Sequence, residues 1–537
     1  MTSPQCHPAI LLTLLCALLA ACSHTPRFTP ADVQPPASLQ ALLDDADVHR
    51  ASRHDPLSLD QPTSLTLTRD GAILTAVARN RSLAVERFNP LIAETSIGEA
   101  RAAFDPTLLA TLSAGRSIEQ LGGSRFSSSS SQNSSTSRDI TGEVRAENTF
   151  ATGTEVFLSG GLDRSRTSFT STEHAGNWSL GVTQSLLRGA GTSVNLVELR
   201  QARNDTAIGM HQLRDFVLEL VRQVEVSYWD LVLAYSTLEI REFSVRLARE
   251  QLRLNEIYLE VGKGVAGDVT SARAALASRE ADLIDARAEV RRRTILLMRL
   301  LNPSEAEHYA VTLNPLDPPD VEEVVLDPSL SMKLAELYRP DLAESKLRIA
   351  NGDLELIRTR NGLLPRLDFF ATYGRTSLGL DFSGGVEYLD DTDYDNYELG
   401  LDFEVQPLNR AERARQQRAE FELAQAEAAV ANLEQLIDAQ VQEAAVEARR
   451  QWERIGATAT TVAAREEELR AVREEFDVGL ATTLDVLAVQ ERLVQARLDA
   501  ATAKVRYIEG LTELYWREGT LLERRGVGVD APPPGAL

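Results

Sequence analysis

The sequence predicts a mainly α-helical fold with a β-barrel part: a long coiled-coil helical barrel joined to transmembrane β-strands. It is built from two internal repeats and completed by oligomerisation. Three observations predict it. Two proline-free tracts, from about Gly191 to Tyr258 and from Arg410 to Phe476, each run for nearly seventy residues. Other segments of about ten residues alternate apolar and polar side chains. Short motifs also recur in the same order along the two halves of the chain.

Composition agrees with this. The chain has 537 residues, 43% hydrophobic and 25% charged, enough for a large folded structure. Aromatics are only 6%, which suits long Ala/Glu/Arg/Leu-rich helices better than a packed enzyme core. The net charge of −23 argues against a nucleic-acid partner, whose phosphates would be repelled.

Cys6, Cys16 and Cys22 all lie at the N-terminus, so the rest of the chain has no disulfide or thiolate chemistry. The apolar run 9–22 is too short for a permanent bilayer span and fits a signal peptide over residues 1–21. Its end, Leu19-Ala20-Ala21-Cys22, resembles a bacterial lipobox, which implies lipidation at Cys22 and, with Ser23 following, sorting to the outer membrane. The first eight residues carry no Lys or Arg, a departure from the usual signal, and an ordinary secretory signal is the alternative. Residues 22–64, rich in Pro, Asp and Ala, read as a tether.

Two punctuated stretches divide the rest of the chain. NPLDPPD lies within a linker at 314–331, and VDAPPPGAL closes a disordered tail at 523–537. The two repeats are repeat 1 (65–313, β segment about 104–188) and repeat 2 (332–522, β segment about 364–408). Leu83-Ala84 and Pro106-x-Leu108 match Leu342-Ala343 and Pro365-x-Leu367 at an offset of 259 residues. Asn177-Trp178-x-Leu180-Gly181 matches Asn396-Tyr397-x-Leu399-Gly400 at 219. Leu252-Arg253, Val261-Gly262, Asp268-Val269 and Leu276 match Leu469-Arg470, Val478-Gly479, Asp485-Val486 and Leu493 at 217. The fall from 259 to 219 leaves 40 extra residues in the first copy, including the serine-rich tract 124–139.

Each copy reads helix, strands, helix, turn, helix. Leu399, Leu401, Phe403 and Val405 alternate with Glu398, Gly400, Asp402 and Glu404. Leu367, Phe369, Ala371 and Tyr373 alternate less cleanly, and Val156, Leu158, Gly160 and Leu162 form the same pattern in the first copy. Such strands suit a transmembrane barrel, and a soluble sheet with one wet face is the alternative. At about 1.5 Å per residue, each long helix would reach roughly 100 Å. Helices expected at 269–301 and 332–363 would stack end to end beside a long one, with Ala-rich seams such as 419–435 allowing close packing.

Together these residues resemble the TolC-type outer-membrane factor family over about residues 65–522. The carriers are the ordered duplicate motifs, FDPTL and LLPRL entering strands, TQSLLRG and VQPLNRA leaving them, and the paired VG…DV turns. The resemblance implies a homotrimer in the outer membrane, its β-barrel crossing the lipid and its helices lining a periplasmic duct. It implies a passive exit duct of a tripartite efflux pump or type I secretion system, partnered by a periplasmic adaptor and an inner-membrane transporter. Independently, a few membrane-length strands cannot close a barrel alone, and lipid does not tolerate open strand edges, so oligomerisation follows if they span. The family usually has two strands per repeat, and the 40 extra residues leave room for another hairpin.

The two glycine turns, 261–267 and 478–484, are expected at the periplasmic tips of helical hairpins. The resemblance implies adaptor docking at Val261, Gly262, Val478, Gly479, Leu480 and Thr482. A plain helix cap is the alternative, although a cap alone does not call for exposed Val and Leu. The resemblance also implies a periplasmic gate residue at Asp485. Ala488 stands where a second gate aspartate would be, and Ala481 where a basic residue would be. Asp485 and Asp268 read equally well as first-turn helix residues.

No catalytic, cofactor or metal site emerges. The seven histidines are scattered. Asp391-x-Asp393-x-Asp395 lacks the glycine and terminal glutamate of a calcium loop, and a solvated acidic loop is the simpler reading. Gly189-Ala190-Gly191 has no phosphate-binding lysine beside it and reads as a joint between strand and helix. An enzyme is therefore not expected. A structural coiled-coil envelope lipoprotein without a channel is the competing function, and amphipathic strands in both halves argue against it.

Overall fold

A computed structural model describes residues 65–120, 134–168, 171–301, 312–379, 381 and 395–528. All of these fall in one compact unit, Pro56–Leu537. The signal peptide, Cys22, the tether, residues 124–133 and 389–394, and the last nine residues of the tail lie outside the described residues.

The described residues form two sheets. β1 (Leu65–Leu67) pairs in parallel with β6 (Leu313–Pro315), Leu65 opposite Leu313. The second sheet is antiparallel and has six strands in the order β2-β3-β4-β5-β7-β8. Its strands are β2 (Thr107–Gln120), β3 (Ser134–Thr149), β4 (Thr154–Thr167), β5 (Glu173–Ser185), β7 (Arg366–Gly379) and β8 (Asp395–Glu404). The motif Pro106-x-Leu108 leads into β2 and Pro365-x-Leu367 into β7, whereas the NWxLG and NYxLG motifs lie on β5 and β8. The extra residues of the first half are therefore the hairpin β3–β4, inserted between β2 and β5.

Register fixes two chemically distinct faces, because directly paired residues point the same way. One row runs Leu108, Ala146, Leu158, Leu180, Tyr373, Tyr397 across all six strands. The same face carries Leu112, Val144, Leu399, Leu401 and Phe403, all exposed. The opposite face carries Glu143, Glu147, Asp163, Asp368, Asp402 and Glu404. An apolar face in contact with water is unfavourable for a sheet of this size, and hydrocarbon is the medium that suits it.

The helices are α1 (Arg69–Arg79), α2 (Arg81–Glu86), α3 (Phe88–Ala102), α4 (Thr192–Asn195), α5 (Val197–Glu260) and α6 (Ala266–Leu301). They continue as α7 (Pro328–Tyr338), α8 (Pro340–Gly362), α9 (Arg410–Asp477), α10 (Thr483–Arg517) and α11 (Leu521–Arg525). Caps mark their starts. Thr68 accepts from the Gly71 amide at 3.1 Å to open α1, and Asn80 accepts from the Leu83 amide at 3.0 Å to open α2. None of the described helices is long and apolar enough to cross a membrane.

The long helices α5 and α9, of 64 and 68 residues, are each flanked in two stretches. Near the sheet, α8 lies against both. Asn204 donates to Asn351 at 2.8 Å and Thr359 to Gln416 at 2.7 Å. Towards the tips, α6 covers α5 and α10 covers α9, with Arg241–Asp282 at 3.0 Å and Arg492–Glu468 at 2.6 Å. The expected helix 332–363 is in fact two. Pro340 forces Arg339 into extended backbone (φ −69°, ψ 121°), which ends α7 and restarts the chain as α8 with proline at its first position. The region assigned to the linker likewise contains the end of β6 and the start of α7.

The main core lies where α1, α5, α6, α10 and the two short strands meet. It holds Leu67, Ile73, Val221, Tyr228, Leu297, Met298, Leu313 and Val505. Tyr228 donates to Asp317 at 2.9 Å, and the same carboxylate accepts the Arg69 amide at 2.7 Å, so β1 and the chain after β6 are tied to α5. Burial pushes the Tyr228 phenol above its ordinary range. Residues 523–528, expected to belong to a disordered tail, are folded. Leu521, Leu522 and Val527 join this core, and Arg525 pairs with buried Glu225, because α11 has an apolar side to cover.

Candidate functional site

The ends of α5 and α9 farthest from the sheet have the same local geometry. At the first, Gly262 (φ 76°) donates to the Leu259 carbonyl at 3.1 Å and Lys263 to Tyr258 at 2.8 Å. At the second, Gly479 (φ 83°) donates to Phe476 at 3.1 Å and Leu480 to Glu475 at 2.8 Å. Both are Schellman caps, in which glycine supplies the left-handed residue and the last carbonyls of the helix are satisfied. A Cβ at either glycine would meet nothing within 4 Å, so only backbone conformation demands glycine there.

The cap does not account for the neighbouring side chains. Val261, Val478 and Leu480 are 60%, 70% and 82% exposed. Val265 (63%) and Leu484 (63%) extend the apolar surface, and sequence reasoning missed both. They follow their glycines by three and five residues, where a polar turn would have been cheaper in water.

Side chains join the two tips. The Tyr258 and Phe476 rings lie 5.8 Å apart, and the Tyr258 hydroxyl donates to Asp477 at 3.4 Å. Buried Asn255 donates to the Asp268 carbonyl at 3.2 Å and accepts from Thr483 at 3.4 Å. Deeper in the bundle, Arg279 of α6 reaches across to α10. It donates to Gln490 at 2.9 Å and to the Leu487 carbonyl at 3.4 Å, and on α5 to the Ser244 carbonyl at 3.3 Å. Its side chain is almost fully buried and its nearest carboxylate, Glu491, is 4.0 Å away. Burial therefore pulls its pKa down, and neutral oxygens solvate the cation. The pattern Ala272, Leu276, Arg279, Leu283, Ala286 places arginine at a seam position of a heptad, a signal the sequence contained.

Thr482 and Asp485 form a capping box at the start of α10. The Asp485 amide is bonded to the Thr482 hydroxyl, and the Asp485 carboxylate accepts from the Thr482 amide at 2.9 Å and its hydroxyl at 2.6 Å. The Thr482 hydroxyl, and then its amide, hold the Asp485 carboxyl below the usual range. Asp268 sits in the first turn of α6. Among the described residues no group of His, Cys, Asp and Glu could hold a metal ion.

Comparison with known proteins identifies the fold. The outer membrane efflux protein family matches residues 155–303 and 332–516. Proteases secretion protein PrtF of Dickeya chrysanthemi is 28% identical over 335 residues, covering 58% of this chain and 67% of the relative. Alkaline protease secretion protein AprF of Pseudomonas aeruginosa is 24% identical over 322 residues; the match covers 57% of this chain and 62% of AprF, less than two thirds of its length. Among solved structures, the outer-membrane channel OprN superposes with a TM-score of 0.63 at 16% identity, over 84% of this chain and 90% of OprN. Sequence match, long paired helices and amphipathic sheet agree: the chain belongs to the outer membrane efflux protein family, the TolC-type exit ducts of the outer membrane.

Proposed function

We propose that three copies of this chain form one tube, conducting substrate passively through the periplasm and outer membrane for a type I secretion system. The observation that carries this is the six-stranded sheet, apolar on one face and acidic on the other, whose edge strands β2 and β8 each lack a second neighbour among the described residues. In lipid such edges must be paired, and joining β8 of one copy to β2 of the next closes an eighteen-stranded barrel. The acidic face then lines the lumen. Two named relatives, PrtF and AprF, serve protease secretion, which supports an exported polypeptide as cargo.

The remaining assignments are part of the same proposal. Residues 65–313 and 332–522 act as two repeats, each ending in a tip, and Cys22 anchors the chain by lipid. An inner-membrane transporter supplies the energy through a periplasmic adaptor that docks at the tips. Three copies of Asp485 form an acidic ring at the periplasmic entrance, in addition to capping α10.

Purified protein in planar bilayers is expected to give discrete single-channel steps from a trimer. A monomer that leaves the bilayer silent would remove this reading in favour of a non-conducting envelope lipoprotein. Arg279→Met should raise the resting conductance roughly three- to tenfold, because it removes hydrogen bonds worth about 1 kcal/mol that hold one hairpin to the other. Unchanged conductance would show that the hairpins do not move apart at this point.

A further inference from the structure

The lipid-facing side of the sheet carries charge at one end only. By register, Arg116 of β2 lies opposite Arg138 of β3, and Arg138 lies opposite Arg166 of β4. Arg164 is on the same face two residues along and opposite His174 of β5. All four arginines are exposed, and none has an ion-pair partner among the described residues. The carboxylate nearest in sequence, Asp139, points to the other face, where it accepts from Ser137 and Ser165 at 2.7 Å each. Among the described residues the only acid on the apolar face, Asp395, is already paired with Arg375 at 2.8 Å.

Three like charges directly opposite one another on neighbouring strands repel, so anions stabilise this row, and among the described residues no carboxylate supplies one. Its position says which. The strands enter from the helices at Thr107 and Arg366, so the row sits at the end of the sheet remote from the helices. Between it and the helices lies the apolar band, with Trp178, Tyr373 and Tyr397 on the same face towards the row. Trp178 packs edge-on against Tyr373 at 5.7 Å. Aromatic side chains of this kind mark the boundary between hydrocarbon and headgroups. The arginines beyond them are at headgroup depth, where guanidinium forks bind phosphate.

We propose that Arg116, Arg138, Arg164 and Arg166 form a binding site for the phosphate groups of a phosphorylated lipid in the outer leaflet. Two of the three strands that build it, β3 and β4, belong to the inserted hairpin, so the insertion supplies a lipid contact as well as wall. This rests on the reading of the sheet as the membrane wall.

The test uses the full-length protein in nanodiscs of zwitterionic phospholipid doped with lipid A or with enzymatically dephosphorylated lipid A, and counts retained lipid by native mass spectrometry. The expected result is a preference of roughly tenfold or more for the phosphorylated form. The R116Q/R138Q/R166Q variant should lose that preference while still conducting. Equal retention of the two lipids by a conducting wild-type protein would overturn the site alone, and a non-conducting wild type would overturn the membrane-wall reading. Full displacement of the lipid by inorganic phosphate would show a free-anion site and overturn the lipid assignment. If the triple variant does not assemble, the wild-type comparison still decides.

Discussion

Arg525→Ala is expected to destabilise the protein by about 3–5 kcal/mol, seen as a lower denaturant midpoint in detergent. Arg525 donates to both oxygens of Glu225, Nε at 2.9 Å and Nη2 at 2.6 Å. The Glu225 side chain is 0% exposed and the Arg525 side chain 14%. Removing the guanidinium leaves a fully buried carboxylate on α5 without the fork that solvates it, inside the core shared by α1, α5 and α10. Most of the cost is that stranded charge and not the value of the pair itself. The double replacement Glu225→Met with Arg525→Met should therefore recover most of the loss. Truncation gives an independent measure of the same effect: removing residues after 528 should be neutral, while removing those after 522 should cost at least as much as Arg525→Ala. A loss below about 1 kcal/mol for Arg525→Ala would mean that Glu225 finds another partner or water.

The second large effect is expected at the tips. The double substitution V478D/L480D should reduce co-purification of the adaptor by roughly a hundredfold or more, since a buried apolar side chain contributes about 1.5–3 kcal/mol and a buried unpaired charge opposes binding further. Both residues are exposed and neither is part of the protein's own core, so trimer formation and bilayer conductance should persist. Gly479→Ala is a milder probe. At φ 83° a side chain costs on the order of 1 kcal/mol, which distorts the Schellman cap without adding charge. Undiminished co-purification after V478D/L480D and after V261D would remove the tips as the docking surface.

Much of the architecture is legible in the sequence because it depends on local periodicity. The absence of proline over Arg410–Phe476 is a direct statement about an uninterrupted hydrogen-bond ladder, and α9 runs from Arg410 to Asp477. Val-Gly at two equivalent places marks the reversals, since only glycine adopts the left-handed cap without strain. Pro340 also signals a break, but the apolar pattern continues on both sides of it, and that continuity hides the missing amide. The pair Thr482-x-x-Asp485 announces a capping box, and the hydrogen bonds of its aspartate serve the start of its own helix.

The illegible part depends on partners distant in sequence. No local pattern joins Arg525 to Glu225, or Arg279 to Gln490 across 211 residues, because side-chain pairing between helices is set by how the helices pack. The same holds for the row Arg116, Arg138, Arg166: three arginines far apart along the chain become neighbours only when strand register aligns them. By itself the sequence determined the extent of the two long helices, their points of reversal and the alternation of strands β4, β7 and β8, all consequences of backbone conformation at single residues. Only the tertiary structure decided where the inserted hairpin sits, that α11 belongs to the core, and which buried charges meet, because those follow from long-range register and packing that no short window of residues contains.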